Sequence, residues 1–341
     1  MNAHQWHPAL VVSHDHQLYE LRLANGATRH ARVAGAFVYR AVDQSDFPVV
    51  GDTVLCEWDE SISGEAQIHQ VQPRYGVIAR LRPGDATVQQ VIAANVDGAL
   101  LVLGLDGGRS FTEGLLARLL TTVRAGEVPA VVVLNKCDCA TAEQVARTVK
   151  RAAYTAPGAP VHVVSAHTGA GLPDLRAAWK PGQTACLMGA SGVGKSSLLN
   201  AFLSDSVERV GDLRTDGRGR HTTTRRRLHE MECGRRIIDI PGLRELQLWS
   251  DESAVDDTFP DIAEYADQCR FRDCRHAGEP GCAVQQALFE GFIDPGRFDR
   301  FLELRRETEW LETRQNDRAR AARDAQWKAI SKEQKRMKKS R

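Results

Sequence analysis

Residues 184–203 read TACLMGASGVGKSSLLNAFL. An apolar run leads into a glycine-rich turn, and the turn leads into residues at helical spacing. Gly189, Ala190, Ser191, Gly192, Val193, Gly194, Lys195 and Ser196 match GxxxxGK[ST] at every position. Glycines let successive backbone N–H groups turn inward around phosphate oxygens, and the following helix adds its positive N-terminal end. Lys195 would reach the β- and γ-phosphates, the Ser196 hydroxyl would ligate Mg2+, and Ser197 follows in the first turn of the helix. Strand before and helix after is the context such a loop requires.

The neighbouring chain repeats the alternation. VDGALLVLGL (96–105) and PAVVVLNKCD (129–138) are continuous apolar runs, as buried parallel strands are. Helical spacing fills 111–127 and 141–154, with Thr141 as an N-cap. APVHVVSAHTG (159–169) gives a third strand, LPDLRAAW (172–179) begins another helix, and RRIIDIPGL (235–243) is a further strand ending in a loop. Alternation of this kind predicts a parallel sheet between helical layers.

A phosphate loop does not choose a base. Asn135-Lys136-Cys137-Asp138 addresses that choice. The Asp138 carboxylate can accept from N1–H and the 2-amino group of guanine, and adenine has neither donor. Asn135 can bond the base edge and neighbouring loops, and the Lys136 stem can lie over the ring. Ser165-Ala166, ending the next strand, can offer a backbone N–H to guanine O6. Asp239-Ile-Pro-Gly242 supplies a strand-end carboxylate for Mg2+ through water and a Gly242 N–H for the γ-phosphate. Between them lies GRGRHTTTRRR (217–227), where one of Thr222, Thr223 or Thr224 would reach Mg2+, with Thr223 favoured. The base loop precedes the phosphate loop, which reverses the ordinary order. A parallel sheet can be cut at one loop and rejoined at another with its site intact, so the motifs describe one GTP site in a circularly permuted chain.

Leu243 follows the DIPG turn, where many GTPases carry a Gln that positions water. An apolar side chain cannot do this, so the isolated protein is expected to be slow. His221 is the candidate to position or deprotonate that water. Arg218, Arg220 and Arg225 would meet RNA phosphate or developing charge instead.

Outside the α/β part, residues 9–73 read as five short strands with a hairpin turn at Asn25-Gly26, which suggests a small β-barrel. After about 250 the chain turns polar and helical. Cys269, Cys274, His276 and Cys282 form a Cys3His set with spacings suited to one structural zinc. No secretion signal or membrane-spanning run is apparent, so thiols and a cytoplasmic setting are expected rather than disulfides. The formal net charge of +1 names no partner, but six Arg fall within 214–227, and seven Lys or Arg against one Glu fall within 328–341. Such clusters suit phosphate backbones. There is no signal for a dimer, and a monomer is expected.

NKCD, SA, GASGVGKSS, GRGRHTTT, DIPG and C-x4-C-x-H-x5-C, in this order, resemble the ribosome small-subunit-dependent GTPase family, RsgA or YjeQ. The resemblance implies an OB-type barrel over 1–76, a circularly permuted GTPase domain over 77–249 and a helical zinc-binding domain over 250–341. It also implies GTP hydrolysis to GDP, activation by the small (30S) ribosomal subunit, binding to its rRNA, and a role in late 30S maturation. The basic tail and the HTTTRRR run match less securely, and no role is carried across for them.

Overall fold

The computed structural model describes residues 6–15, 17–58, 64–82, 85–107, 110–204, 226–231, 234–240 and 252–314. The first strands are β1 (His7–Asp15), β2 (Leu18–Leu23) and β3 (Thr28–Val33). Gly26 has φ of +83°, and Asn25 Oδ1 accepts from Ala27 N, so the Asn-Gly pair makes the β2–β3 turn that the sequence predicts. A short helix α1 (Gly35–Arg40) leads to β4 (Thr53–Glu57) and β5 (Ala66–Val71). The strand order is β1-β2-β3-β5-β4, and β4 pairs back to β1, so the barrel closes. β3 and β5 run parallel and the other barrel pairs antiparallel. Alternate residues Val11, Leu21, Ala31, Val54 and Ile68 fill the interior. This is the five-stranded barrel of the OB type.

β6 (Ile78–Arg82) and β7 (Asp85–Ala93) form a separate two-stranded sheet, which the apolar pattern did not announce. The α/β part then runs β8 (Gly98–Gly104), α2 (Glu113–Ala125), β9 (Ala130–Asn135), α3 (Ala142–Thr155), β10 (Val161–Val163), α4 (Leu172–Arg176), β11 (Thr184–Met188), α5 (Lys195–Ser204), β12 (Arg226–Glu230) and β13 (Arg236–Asp239). Thr112 and Thr141 cap α2 and α3 by accepting from Leu115 N and Gln144 N. The spatial order is β10-β9-β8-β11-β13-β12, parallel except for β12. The chain walks outward from β8 to β10, then crosses back to place β11 on the other flank of β8. The loops after β9, β10, β11 and β13 therefore leave one edge of the sheet, whatever their order along the chain. Two apolar clusters cover the two faces, as a buried parallel sheet needs.

Arg226–Glu230 is a strand, and it contains Arg226 and Arg227 of the basic run over 214–227. Its backbone is satisfied from both sides, by β13 and by β1. β1 divides one edge between two partners: His7–Leu10 pair with β4, and Ser13 and His14 pair with β12. Barrel and α/β sheet thus share one eleven-stranded hydrogen-bonded sheet.

A second compact unit comprises Leu81–Gln89 and Ser250–Arg341. Its described helices are α6 (Glu252–Thr258), α7 (Pro260–Ala266), α8 (Ala283–Phe289) and a final helix over 295–314. Phe259 and Phe301 meet edge to face at 5.6 Å in its core. Arg297 is buried there, forked onto Asp261 at 2.7 and 2.8 Å and lying over the Phe259 ring.

Candidate functional site

The turn after β11 is shaped by glycines in two ways. Gly192 and Gly194 have φ of +85° and +94°, which only glycine adopts freely. A Cβ on Gly194 would lie 2.3 Å from Asn135 Nδ2. The loop is therefore packed directly onto the end of β9, although the two are far apart in the chain.

Asn135 is buried and joins three loops. Its Nδ2 donates to Val193 O at 2.9 Å, and its Oδ1 accepts from Ala166 N at 3.1 Å. Of the backbone N–H groups that the Ser165-Ala166 pair was expected to offer to guanine O6, that of Ala166 donates to Asn135 and that of Ser165 donates to Ala170 O. Ser165 is fully buried, and its Oγ accepts from His167 N and Thr168 N, which shapes the turn after β10. Lys136 takes a left-handed conformation, φ +66°, and its Nζ donates to Gly192 O and to Asp106 Oδ2, both at 2.6 Å. Asp138 is exposed, and a hydrogen bond with Ser165 holds its carboxyl below the ordinary range. It is an ionised acceptor facing solvent.

Lys195 is buried, and its Nζ donates to Gly189 O at 2.8 Å and Ala190 O at 2.9 Å. Burial pushes its ammonium pKa down, and Asp239 pulls it back up. Asp239 ends β13 and is also buried; burial raises its carboxyl pKa, and Lys195 opposes this. Ser191, Ser196 and Ser197 are exposed around the loop and the start of α5, while Val193 is fully buried beneath it. A hydroxyl and a carboxylate are oxygen donors of the kind magnesium selects, so Ser196 and Asp239 fit that ion.

Asp106 was not singled out from the sequence. It follows β8 in a Leu-Asp-Gly-Gly turn, a composition that signals a turn and nothing more. Lys136 and Ser110 hold its carboxyl below the ordinary range. His221, Thr222, Thr223, Thr224, Gly242, Leu243, Arg214, Arg218, Arg220 and Arg225 lie outside the described residues. Arg226 and Arg227 are in β12: burial lowers the Arg226 pKa to about 10, and Arg227 pairs with Glu20 at 3.2 Å.

In the second unit, the ligand atoms of Cys269, Cys274, His276 and Cys282 all lie within 4.8 Å of one another. Zn–S bonds of about 2.3 Å and a Zn–N bond of about 2.0 Å give tetrahedral edges of about 3.8 Å between sulfurs and about 3.5 Å between sulfur and nitrogen. Cys269 Sγ and Cys282 Sγ are 3.8 Å apart, and His276 Nδ1 is 3.4 Å from Cys282 Sγ and 3.7 Å from Cys269 Sγ. The donor set and these three edges suit a four-coordinate metal such as zinc, with Nδ1 as the histidine donor. Glu279 folds the ligand loop by accepting from Arg275 N and Ala277 N.

The RsgA GTPase family model matches residues 71–249, more than half of the chain. The chain belongs to the RsgA GTPase family. It is therefore a hydrolase acting on GTP. Among curated members, the small ribosomal subunit biogenesis GTPase RsgA of Opitutus terrae is 41% identical over 335 residues, covering 95% of this chain and 89% of its own. RsgA 1 of Oceanobacillus iheyensis is 36% identical, covering 96% and 92%. Of solved structures, YjeQ from Thermotoga maritima aligns with a TM-score of 0.66 at 26% identity, covering 89% of this chain and 99% of that one. YloQ, a circularly permuted GTPase, aligns with a TM-score of 0.62 at 24% identity over 90% and 96%, and shares the fold.

Proposed function

We propose that this chain hydrolyses GTP in the biogenesis of the small ribosomal subunit, and that the 30S particle and its rRNA switch the activity on. The observation that carries the nucleotide reading is the Asn135 carboxamide, which locks the base loop to the phosphate loop. The subunit reading rests on the relatives, whose names give them that role.

Asp138 reads N1–H and the 2-amino group of guanine, and the Lys136 stem covers the ring over a slot bordered by Ser165 and Ala166. Backbone N–H groups of residues 189–197 surround the phosphates. Lys195 leaves the carbonyls of Gly189 and Ala190 and moves its ammonium to the β- and γ-phosphates. Ser196, Thr223 and Asp239 would hold Mg2+, which would neutralise charge developing on the phosphate oxygens when bound with GTP. The Gly242 N–H meets the γ-phosphate. His221 positions the attacking water in place of the glutamine that Leu243 replaces. Cys269, Cys274, His276 and Cys282 hold one Zn2+ in a closed structural site. The chain acts in the cytoplasm.

The test is GTP turnover by the purified protein at fixed salt, with small subunits, with large subunits and with neither, and with ATP in place of GTP. Stimulation by small subunits alone is expected. Equal turnover in all conditions, with guanine binding intact, would overturn subunit activation.

A further inference from the structure

Asp106 stands in the turn after β8, 30 positions before Lys136 in the chain. Its Oδ2 accepts from Lys136 Nζ at 2.6 Å, and the same ammonium donates to Gly192 O at 2.6 Å. An ammonium has three donors, so two of them are engaged within the protein itself. The two acceptors belong to different loops. Lys136 is therefore held between the turn after β8 and the phosphate loop. The turn is itself fixed: Gly104 N donates to Ser110 O, and Leu105 N donates to Asn135 O, the residue beside Lys136. Ser110 also hydrogen-bonds the Asp106 carboxylate. A Cβ on Gly104 would lie 2.8 Å from Ser110 Cβ and 3.0 Å from Asp106 Oδ1, so the turn folds back closely over the end of β8.

The side chains of Asp106 and Lys136 are 30% and 28% exposed, against 83% and 65% for Glu143 and Arg147 in the surface pair on α3. A pair as exposed as the second holds its partners loosely. The first is enclosed enough to set a geometry. A free lysine stem samples many rotamers, and it must give up that freedom to lie over a base. Fixing the ammonium at two points takes the loss in the free protein, so the ligand meets a preorganised contact. Gly192 O alone would leave the ammonium to swing about one acceptor.

We propose that Asp106 is a positioning residue for the guanine nucleotide: it holds the Lys136 ammonium so that the stem stands ready to cover the base. Asp106 acts through Lys136 and touches no reacting atom. The proposal rests on the reading of residues 135–138 as the base loop, and it adds the turn after β8 to that site. A stem over the ring face does not sense the 2-amino group, which Asp138 reads. Asp106 therefore serves affinity for the ring and not the choice between guanine and hypoxanthine.

The experiment uses the full chain and a fluorescent GDP analogue, displaced by unlabelled GDP or by inosine diphosphate. Asp106→Ala is expected to raise the Kd of both by the same factor, about five- to tenfold, the scale of ordering one long side chain. Lys136→Met removes the ammonium and keeps an apolar stem. Adding Asp106→Ala to Lys136→Met is expected to change Kd by less than about twofold, because the carboxylate then has nothing to hold, and groups that act through each other are not additive. Circular dichroism and thermal melting confirm that the variants are folded. An unchanged Kd in Asp106→Ala would overturn the proposal. So would the same loss repeated in the Lys136→Met background, since Asp106 would then act on the fold of the turn and not through the lysine. A parent that binds ADP as tightly as GDP would sink the reading of the base loop by a separate measurement, and the coupling of Asp106 to Lys136 would still decide the positioning role.

Discussion

The carboxamide of Asn135 faces two loops at once, and both of its hydrogen bonds are buried or half-buried. Asn135→Ala strands the Val193 carbonyl and the Ala166 N–H without partners. Leaving such groups unsatisfied costs about 1–3 kcal/mol each, about 2 kcal/mol or more for the pair, so GDP affinity should fall about 30-fold or more. Titration with a fluorescent GDP analogue reads this, and an unchanged Kd would show that the loops hold together without the asparagine. Gly194→Ala should act through the same place, since its Cβ would collide with Asn135 Nδ2. Asn135, Lys136, Lys195 and Asp239 were legible in the sequence because each belongs to a spaced motif at a strand end. Asp106 was not, because its partner Lys136 is distant in sequence and one aspartate in a glycine turn has no pattern. The engagement of Ala166 N–H was equally hidden: two residues can name a loop but not which of its donors is already used.

At the scale of elements, α2 offers two glycines with opposite expectations. Gly126 caps its C-terminus, its carbonyl accepts from Val77 N, and it has no room for a Cβ, which would lie 1.7 Å from Val77 O. Gly126→Ala should destabilise by about 1–3 kcal/mol, as overpacking does. Gly114 is in the first turn of α2 with nothing within 4 Å of an added Cβ. Gly114→Ala should stabilise by about 0.4–1 kcal/mol, by removing freedom from the unfolded chain. Thermal melting of the two variants should therefore move in opposite directions; a shared direction would contradict this packing. The ligand loop of the second unit makes a similar claim about metal. Cys282 is one of the four candidate metal donors and also the N-cap of α8, accepting from Gln285 N. Chelation, or Cys282→Ser, should reduce helical circular dichroism while GDP affinity persists, because binding free energy at such a site is folding free energy. Unchanged dichroism after complete metal removal would contradict a structural role. The barrel strands were legible from short runs set between turn signals and from the Asn-Gly turn. β12 was not, since RRLHE reads as a charged run, and its two backbone partners come from distant parts of the chain.

For the whole molecule, the cut in the GTPase fold changes the order of motifs and leaves their place at one sheet edge untouched. The segment ending at Arg225 leads directly into β12, the strand that pairs with β1 of the barrel. With Leu243 in place of a water-positioning glutamine, the proposed mechanism makes catalysis depend on His221 and on the small subunit. His221→Ala should lower subunit-stimulated turnover about 100-fold or more, the scale of general acid–base assistance, with GDP affinity held. Full stimulation of that variant would remove His221 from the mechanism. The central claim is that residues 135–138 and 189–196 serve a single guanine nucleotide. Its most direct test is the affinity of the parent and of Asp138→Asn for GDP and for xanthosine diphosphate. An amide can donate to the 2-oxo group of xanthine, where the carboxylate of the parent would repel it. The account predicts GDP preference in the parent and a switch to xanthosine diphosphate in the variant. A variant that still prefers GDP would show that the base is read elsewhere, and that the two loops do not form one site.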